Sequence, residues 1–251
     1  MKLIDQFDRV YIVNLPERSD RRREIEAELG RFGLSVDGET IRYWTATRPN
    51  DAGLFPSIGS RGCFLSHLSI LSDAIDNELD KILVMEDDLA IDERFVQDQP
   101  AMCGTLREGN WHFAYLGHIE AMRDDGSGPA WQTGRQPLAT THFYALNRPV
   151  MRALHEHLQA CLTRAPGHPL GSPMHVDGAY SLFRMQHPET LTLIAAPSLG
   201  GQRSSRSDIF PNKWYDRTPL FLQLAGWMRG AKNLGKRVFA PKRTPGGQTN
   251  V

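Results

Sequence analysis

The sequence has few cysteines and no long hydrophobic run. Its three cysteines, Cys63, Cys103 and Cys161, are widely spaced and form no CxxC pair, which argues against a disulfide scaffold or a thiolate zinc site. No segment approaches the roughly 18 apolar residues of a membrane span. Asp5 and Asp8 interrupt the region where a signal peptide would have its apolar core. We therefore expect a cytoplasmic protein without a transmembrane anchor.

The sequence also lacks net charge, although its charges are unevenly distributed. The 251 residues include 29 basic and 29 acidic side chains. Residues 213–251 hold eight Lys or Arg and one acid, Asp216, which leaves 21 basic and 28 acidic residues, a net charge of −7, in residues 1–212. We predict one domain over 1–212 and a basic tail over 213–251. An acidic domain without aromatics interleaved among basic residues argues against nucleic-acid binding.

Strand-like and helix-like segments alternate along the chain. Short apolar, β-rich runs predict strands, and apolar residues spaced by three or four positions predict helices. The predicted strands are 10–15, 81–85, 111–116, 140–146 and 191–196, and the predicted helices are 18–32, 59–77 and 149–162. This alternation predicts an α/β fold with a mostly parallel sheet flanked by helices.

Three consecutive carboxylates follow the most apolar of these strands. The segment KILVMEDDLAID, residues 81–92, runs directly into Glu86, Asp87 and Asp88. In an open α/β sheet, ligands bind at the carboxyl ends of the strands. Alternation would turn Glu86 and Asp88 to one side and Asp87 to the other. Two such carboxylates suit Mg²⁺ or Mn²⁺, which would bridge the protein to the phosphates of a nucleotide.

Two other interpretations of the acidic triplet remain open. An acidic triplet elsewhere is usually a solvated turn, although the buried strand before this one argues against it. A nucleotide hydrolase would also have an apolar strand ending in acids, but it requires a phosphate-binding loop. Its nearest match, GAKNLGKR at 230–237, has Arg237 where Ser or Thr is required, and it follows no strand.

Two further segments contain candidate site residues. Ser66 and His67 lie in the early turns of the helix that begins near Gly59, where backbone amides can meet an anion. They are candidates for donor binding, although a single His is more often a packed residue. Asp177 precedes an apolar helix-like run, and by spacing alone its commonest role is that of a helix cap.

Taken in order, these segments resemble glycosyltransferase family 25, which includes bacterial lipopolysaccharide glycosyltransferases and is related to the collagen galactosyltransferase domains. The resemblance spans roughly residues 9–210. It rests on VYIVNLPERSDRR (10–22), GSRGCFLSHLSIL (59–71), ILVMEDDLAI (82–91), THFYALNRPVMRALHEHL (141–158) and HVDGAYSLF (175–183), with a weaker match at QRSSRSDI (202–209).

The resemblance implies a GT-A-type fold with a sheet of Rossmann-like character. It implies a DxD-like motif that holds Mn²⁺, or Mg²⁺, against the donor diphosphate, and Glu86 and Asp88 match that motif. The first position is Glu rather than Asp, which leaves open which carboxylate binds the metal. Asn14, Arg18 and Arg21 match the family's N-terminal element and would help to bind the donor nucleotide.

The same resemblance implies an inverting transfer of a hexose from a UDP-sugar, with galactose as the expected sugar. A carboxylate base would remove the proton of the acceptor hydroxyl, and Asp177 matches the family's Asp in that region. Asp87 is the second catalytic candidate. The acceptor would be a saccharide of a lipopolysaccharide or another glycan core. A non-catalytic glycan-binding or nucleotide-binding protein of the same fold is the alternative.

The basic tail contains a predicted amphipathic helix. Apolar residues from Leu220 to Val238 fall on one face at helical spacing, with Arg229, Lys232 and Lys236 on the other. A segment over 218–243 would then contact an anionic membrane surface peripherally, at its inner face. Packing of the same apolar face on the catalytic domain is the equal alternative.

Overall fold

The structure is a computed structural model, and it describes residues 2–95, 100–120, 122, 126 and 129–203. The predicted tail over 213–251 and the segment 230–237 lie outside the described residues. The strands are β1 (Arg9–Asn14), β2 (Ile41–Thr45), β3 (Lys81–Glu86), β4 (Leu89–Ile91), β5 (Phe113–Tyr115), β6 (Ala130–Thr133), β7 (Phe143–Asn147), β8 (Thr192–Ala196) and β9 (Gly200–Gln202). The helices are α1 (Ser19–Arg31), α2 (Ile58–Asp76), α3 (Pro100–Glu108), α4 (Arg148–Thr163) and α5 (Val176–Gln186).

Seven strands form one sheet in the order β2-β1-β3-β7-β5-β8-β6. β2, β1 and β3 are parallel neighbours, and β5 and β8 are parallel as well. β7 and β6 run in the opposite direction. Strands β4 and β9 form a separate antiparallel pair. The predicted α/β class, with a largely parallel sheet flanked by helices, is therefore confirmed.

Alternate residues of the central strands pack in two hydrophobic cores, one on each face of the sheet. Val10 and Ile12 of β1 pack with Ile25 of α1 in the first core, which α3 completes. Tyr11 of the same strand packs with Phe64 of α2 in the second core, to which α4 and α5 also contribute. The sheet thus lies between two helical layers, and the edge where its parallel strands end stays available for a ligand site.

The five strands predicted from apolar runs are observed, whereas β2, β4, β6 and β9 were not predicted. β2 and β6 are the two edges of the main sheet. Edge strands carry polar residues and lack the continuous apolar signal, and Arg42 within β2 pairs with Asp73 of α2. β4 and β9 have three residues each, which is too short for a periodic pattern.

The structure bears on two predictions from the sequence, one about the cysteines and one about membrane-spanning helices. Within the described part of the chain, no disulfide joins Cys63, Cys103 or Cys161. Within the described ranges, every helix is too short or too polar to cross a bilayer.

Candidate active site

The carboxyl ends of two neighbouring parallel strands place the candidate site. Asn14 is the last residue of β1 and Glu86 the last of β3. The register pairs Val13 with Glu86, so the two strand ends lie side by side. The sheet therefore brings the N-terminal element and the acidic triplet together at the edge where ligands bind in open α/β sheets.

Asp87 is held by two of the predicted donor-binding residues. Asn14 donates from Nδ2 to Asp87 Oδ2 at 2.7 Å, and Arg21 donates from Nη1 to Asp87 Oδ1 at 2.7 Å. Asn14 is itself fixed, because Arg22 donates from Nε to its Oδ1 at 2.6 Å. Both carboxylate oxygens of Asp87 are thus used within the protein.

Asp88 lies beside the same guanidinium but keeps one oxygen unused. Its Oδ2 is 3.4 Å from Arg21 Nη1, while its Oδ1 is buried without a hydrogen-bond partner. Burial, with a contribution from Asp87, raises the pKa of Asp88. The expected alternation does not extend to Asp87 and Asp88, because β3 ends at Glu86 and the chain turns there.

Glu86 is the most strongly perturbed carboxylate of the triplet. Burial, and then the charges of Asp88 and Asp87, raise its pKa to about 8. Gln202 donates from Nε2 to Glu86 Oε2 at 2.9 Å. Crowded, partly desolvated carboxylates with an unused buried oxygen on Asp88 are the donor set that a hard divalent cation would stabilise. The residues present therefore fit the metal that the sequence predicted.

Two predicted donor-binding residues face other partners. Arg18 donates from Nε and Nη2 to the exposed Asp20, two residues along the chain. Ser66 is fully buried, donates from Oγ to the carbonyl of Gly62 at 2.7 Å and accepts from the backbone of Thr47 at 2.8 Å. The Ser66 hydroxyl thus joins α2 to the segment after β2.

His67 lies on the inner face of α2 and is completely buried. Its Nδ1 is 2.7 Å from the hydroxyl of Tyr144, which in turn is 3.0 Å from the hydroxyl of Tyr180. Burial lowers the pKa of His67 to about 4, so the ring is neutral near pH 7. Cys63, one turn earlier, is half-buried, and burial raises the pKa of its thiol, with further contributions from Glu86, Asp177 and Asp88.

Asp177 is the second residue of α5 and not its cap. The N-cap position belongs to His175, so the cap interpretation is wrong. The backbone amide of Gly178 donates to Asp177 Oδ1 at 2.8 Å. Burial, with a smaller contribution from Glu120, raises the pKa of Asp177 to about 6. Its charge also raises the pKa of Glu86, which places Asp177 and the acidic triplet in one electrostatic neighbourhood.

Sequence reasoning missed Gln202 and Arg203. The backbone amide of Arg203 donates to the Asp88 carbonyl at 2.8 Å, and its Nη2 donates to the Asp87 carbonyl at 2.9 Å. Pairing of β9 with β4 brings both residues to the triplet. The weak family match at 202–209 begins at these two residues, so the resemblance did mark them. No local sequence pattern predicted that they contact residues 86–88.

Comparison with known proteins gives the chain a family resemblance. A model described as glycosyltransferase family 25 (LPS biosynthesis protein) matches residues 7–123, slightly less than half of the chain. The resemblance to glycosyltransferase family 25 is confirmed. The match includes β1, α2 and the acidic triplet, but it ends before Asp177.

Individual relatives of family 25 cover part of the chain. Procollagen galactosyltransferase 2 of Mus musculus is 29% identical over 129 residues, which cover 44% of this chain and 21% of that protein. Inactive glycosyltransferase 25 family member 3 of Homo sapiens is 31% identical over 135 residues, which cover 44% and 22%. This chain thus spans about a fifth of the length of these relatives.

Among solved structures, one similar chain is a glycosyltransferase involved in the glycosylation of the major capsid of PBCV-1. It is 11% identical, with a TM-score of 0.42, and the superposition covers 68% of this chain and 72% of that chain.

Proposed function

We propose that this chain is a metal-dependent, inverting glycosyltransferase that moves a hexose from a UDP-sugar to a hydroxyl of a saccharide acceptor. One observation carries the proposal. The acidic triplet at the end of β3 lies within the segment matched by family 25, and Asp177 shares its electrostatic neighbourhood. A binding module would not require both a metal-type carboxylate set and a separate half-buried carboxylate.

Glu86 and Asp88 would hold the divalent cation, Mn²⁺ or Mg²⁺. The ion would neutralise charge that develops on the departing diphosphate. Arg21 and Asn14 fix Asp87 through both of its oxygens, and we assign Asp87 a positioning role in shaping the turn between Glu86 and Asp88. Arg18 and His67 remain candidates for donor binding.

Asp177 would act as the base. The acceptor hydroxyl oxygen attacks the anomeric carbon, the bond between that carbon and the UDP oxygen breaks, and the hydroxyl proton passes to the Asp177 carboxylate. A pKa of about 6 suits this role, because the group is ionised at neutral pH yet more basic than an exposed Asp. Burial beside Glu120 supplies that basicity.

The names of the relatives support a sugar and two classes of acceptor. Procollagen galactosyltransferase 2 supports galactose as the transferred sugar. The description of the family as an LPS biosynthesis protein supports a lipopolysaccharide saccharide as acceptor, and the procollagen relative supports a peptide hydroxyl. The proposal includes peripheral contact of 218–243 with an anionic membrane, the surface at which lipid-linked acceptors are found.

The test measures acceptor-dependent release of UDP from UDP-galactose in the presence of Mn²⁺. Lipopolysaccharide core oligosaccharides and collagen peptides serve as acceptors. We expect Asp177→Asn to lower the rate by about 10²- to 10⁴-fold, because a base is lost, while UDP-galactose still binds. Glu189→Gln, which alters an exposed acid, should keep the wild-type rate. Full activity of Asp177→Asn would overturn the assignment of the base.

A second candidate function is a non-catalytic member of the family that binds nucleotide or glycan. The observation that favours it is Arg21, whose guanidinium partly neutralises Asp87 and Asp88 where a metal would otherwise do so. One of the human relatives is named inactive. UDP binding without acceptor-dependent UDP release from any of the acceptors would favour this candidate.

A further inference from the structure

A second group of potential metal ligands lies next to the acidic triplet. Cys63, His67 and Glu86 each offer one ligand atom, and these atoms all lie within 4.8 Å of one another. Cys63 and His67 are four residues apart on α2, so both side chains lie on one face of the helix. Glu86 faces them from the end of β3. Helix and strand thus bring a sulfur, a nitrogen and an oxygen atom within 4.8 Å of one another.

His67 has one ring nitrogen in a hydrogen bond and the other without a partner. The hydroxyl of Tyr144 lies 2.7 Å from Nδ1 and fixes the ring, while Nε2 is buried and has no hydrogen-bond partner. A buried polar atom without a partner is costly in a folded protein. Histidines that bind metals characteristically engage the second ring nitrogen in a hydrogen bond, which orients the ring. The Tyr144 contact fulfils that role here.

We propose that Cys63, His67 and Glu86 bind Zn²⁺ at a site distinct in chemistry from the all-oxygen site for Mn²⁺ or Mg²⁺. Zinc accepts thiolate, imidazole and carboxylate together, whereas harder cations prefer oxygen. Bond lengths of about 2.3 Å to sulfur and about 2.1 Å to nitrogen put two zinc ligands about 3.6 Å apart in tetrahedral geometry. Small side-chain rotations would bring the ligand atoms of Cys63, His67 and Glu86 from within 4.8 Å of one another to about that separation. Three protein ligands leave the fourth position open.

Glu86 belongs to both sites, so one carboxylate links them. Zinc binding and binding of a harder cation through Glu86 would therefore exclude one another. The zinc site itself does not depend on transferase activity, and it is tested by binding alone.

The test uses Co²⁺ as a spectroscopic substitute for zinc in the full chain, after treatment with EDTA and desalting. A cobalt–thiolate bond gives a near-ultraviolet charge-transfer band that oxygen and nitrogen ligands do not give. We expect this band in the wild-type protein, its loss in Cys63→Ser, and its disappearance when stoichiometric Zn²⁺ displaces cobalt. Glu86→Gln should weaken zinc binding by at least about tenfold.

Cys161 provides a matched control within the same chain. Its Sγ lies 3.6 Å from His157 Nε2, so it forms another Cys–His pair four residues apart on a helix. Cys161→Ala should retain the cobalt band. Absence of the band in the wild type, its persistence in Cys63→Ser, or its loss only in Cys161→Ala would each overturn the proposal.

A measurement on the unaltered protein covers the case in which Cys63→Ser does not fold. Cys63 is half-buried, while Cys103 and Cys161 are buried. Alkylation of the native protein, located by peptide mass spectrometry, should modify Cys63 first. Zinc should slow that modification at least about tenfold if the thiolate is a ligand, and an unchanged rate would contradict the site.

Discussion

At the scale of single residues, Asp177 determines the pH dependence expected of the reaction. A base acts in its ionised form, and burial beside Glu120 raises the pKa of this carboxyl to about 6. With Mn²⁺ saturating, kcat/KM should therefore rise with pH through about 6 and then level off. Glu120→Gln removes a neighbouring negative charge and should shift that rise to lower pH. A flat profile between about pH 5 and 8 would contradict the role of Asp177.

The same pKa shift has a consequence for stability. The carboxyl of Asp177 ionises at a higher pH when folded than when unfolded, where its pKa is 3.8. Ionisation therefore favours the unfolded chain, and stability is lost as pH rises from about 4 to about 6. A pKa shift of this size corresponds to a loss of about 3 kcal/mol in the free energy of unfolding. Because the Asp177 side chain is only half-buried, solvent screens its charge. We therefore expect the loss of stability to be about 1 to 2 kcal/mol.

Asp177→Asn should therefore be more stable than the wild type above about pH 6, by that amount, and nearly equal to it at about pH 4. The amide keeps the oxygen that accepts from Gly178. Urea unfolding at the two pH values measures the difference. Lower stability of the variant at neutral pH would show that the ionised carboxylate is stabilised by interactions other than those described.

The sequence predicted some site residues and missed others for a physical reason. Asn14 and Glu86 end apolar strands, and Asp87 and Asp88 come directly after the second one. That local signal places all four at one edge of a sheet. Arg203 reaches the triplet through the pairing of β9 with β4. No local sequence pattern predicts that pairing. The sequence identified His67, but its contact with Tyr144 depends on α2 packing against β7.

At the scale of elements, Gly62 allows α2 to approach the segment after β2. A Cβ at this position would lie 2.6 Å from the carbonyl oxygen of Thr47. Gly62→Ala should therefore destabilise the protein by about 1 to 3 kcal/mol through overpacking. It should also displace Cys63 and His67, which follow on the same helix. Thermal unfolding with circular dichroism measures the loss.

Gly104 in α3 is the matched control, because a Cβ there meets nothing within 4 Å. Gly104→Ala should stabilise the protein by about 0.5 to 1 kcal/mol, since alanine loses less backbone entropy in a helix. Equal effects of the two substitutions would mean that the close approach at Gly62 is not a constraint.

The strands that could be predicted from the sequence are the buried ones. β1, β3 and β7 lie inside the sheet and show the continuous apolar runs that buried strands require. The edge strands β2 and β6 are partly exposed and polar, so their sequences resemble loops. The described part of α3, Pro100–Glu108, has nine residues, which leaves little room for a repeating apolar pattern.

At the scale of the whole molecule, the sheet explains how residues distant in sequence come to lie in one region. β1 contributes Asn14, β3 and the turn after it contribute the triplet, and α5 contributes Asp177 from the far part of the chain. The triplet places three carboxyl groups at this site, within residues 1–212 of net charge −7. A divalent cation would offset that charge when a diphosphate binds.

The central claim is that the acidic triplet forms a metal-dependent site for a sugar nucleotide. Its most direct test is calorimetric titration of UDP and UDP-galactose into the purified protein, with Mn²⁺ and with EDTA, repeated on Asp88→Ala. We predict binding that requires Mn²⁺ and is lost in Asp88→Ala, while Glu189→Gln binds normally. Failure of both nucleotides to bind with Mn²⁺ or Mg²⁺, or undiminished binding in EDTA, would contradict the claim.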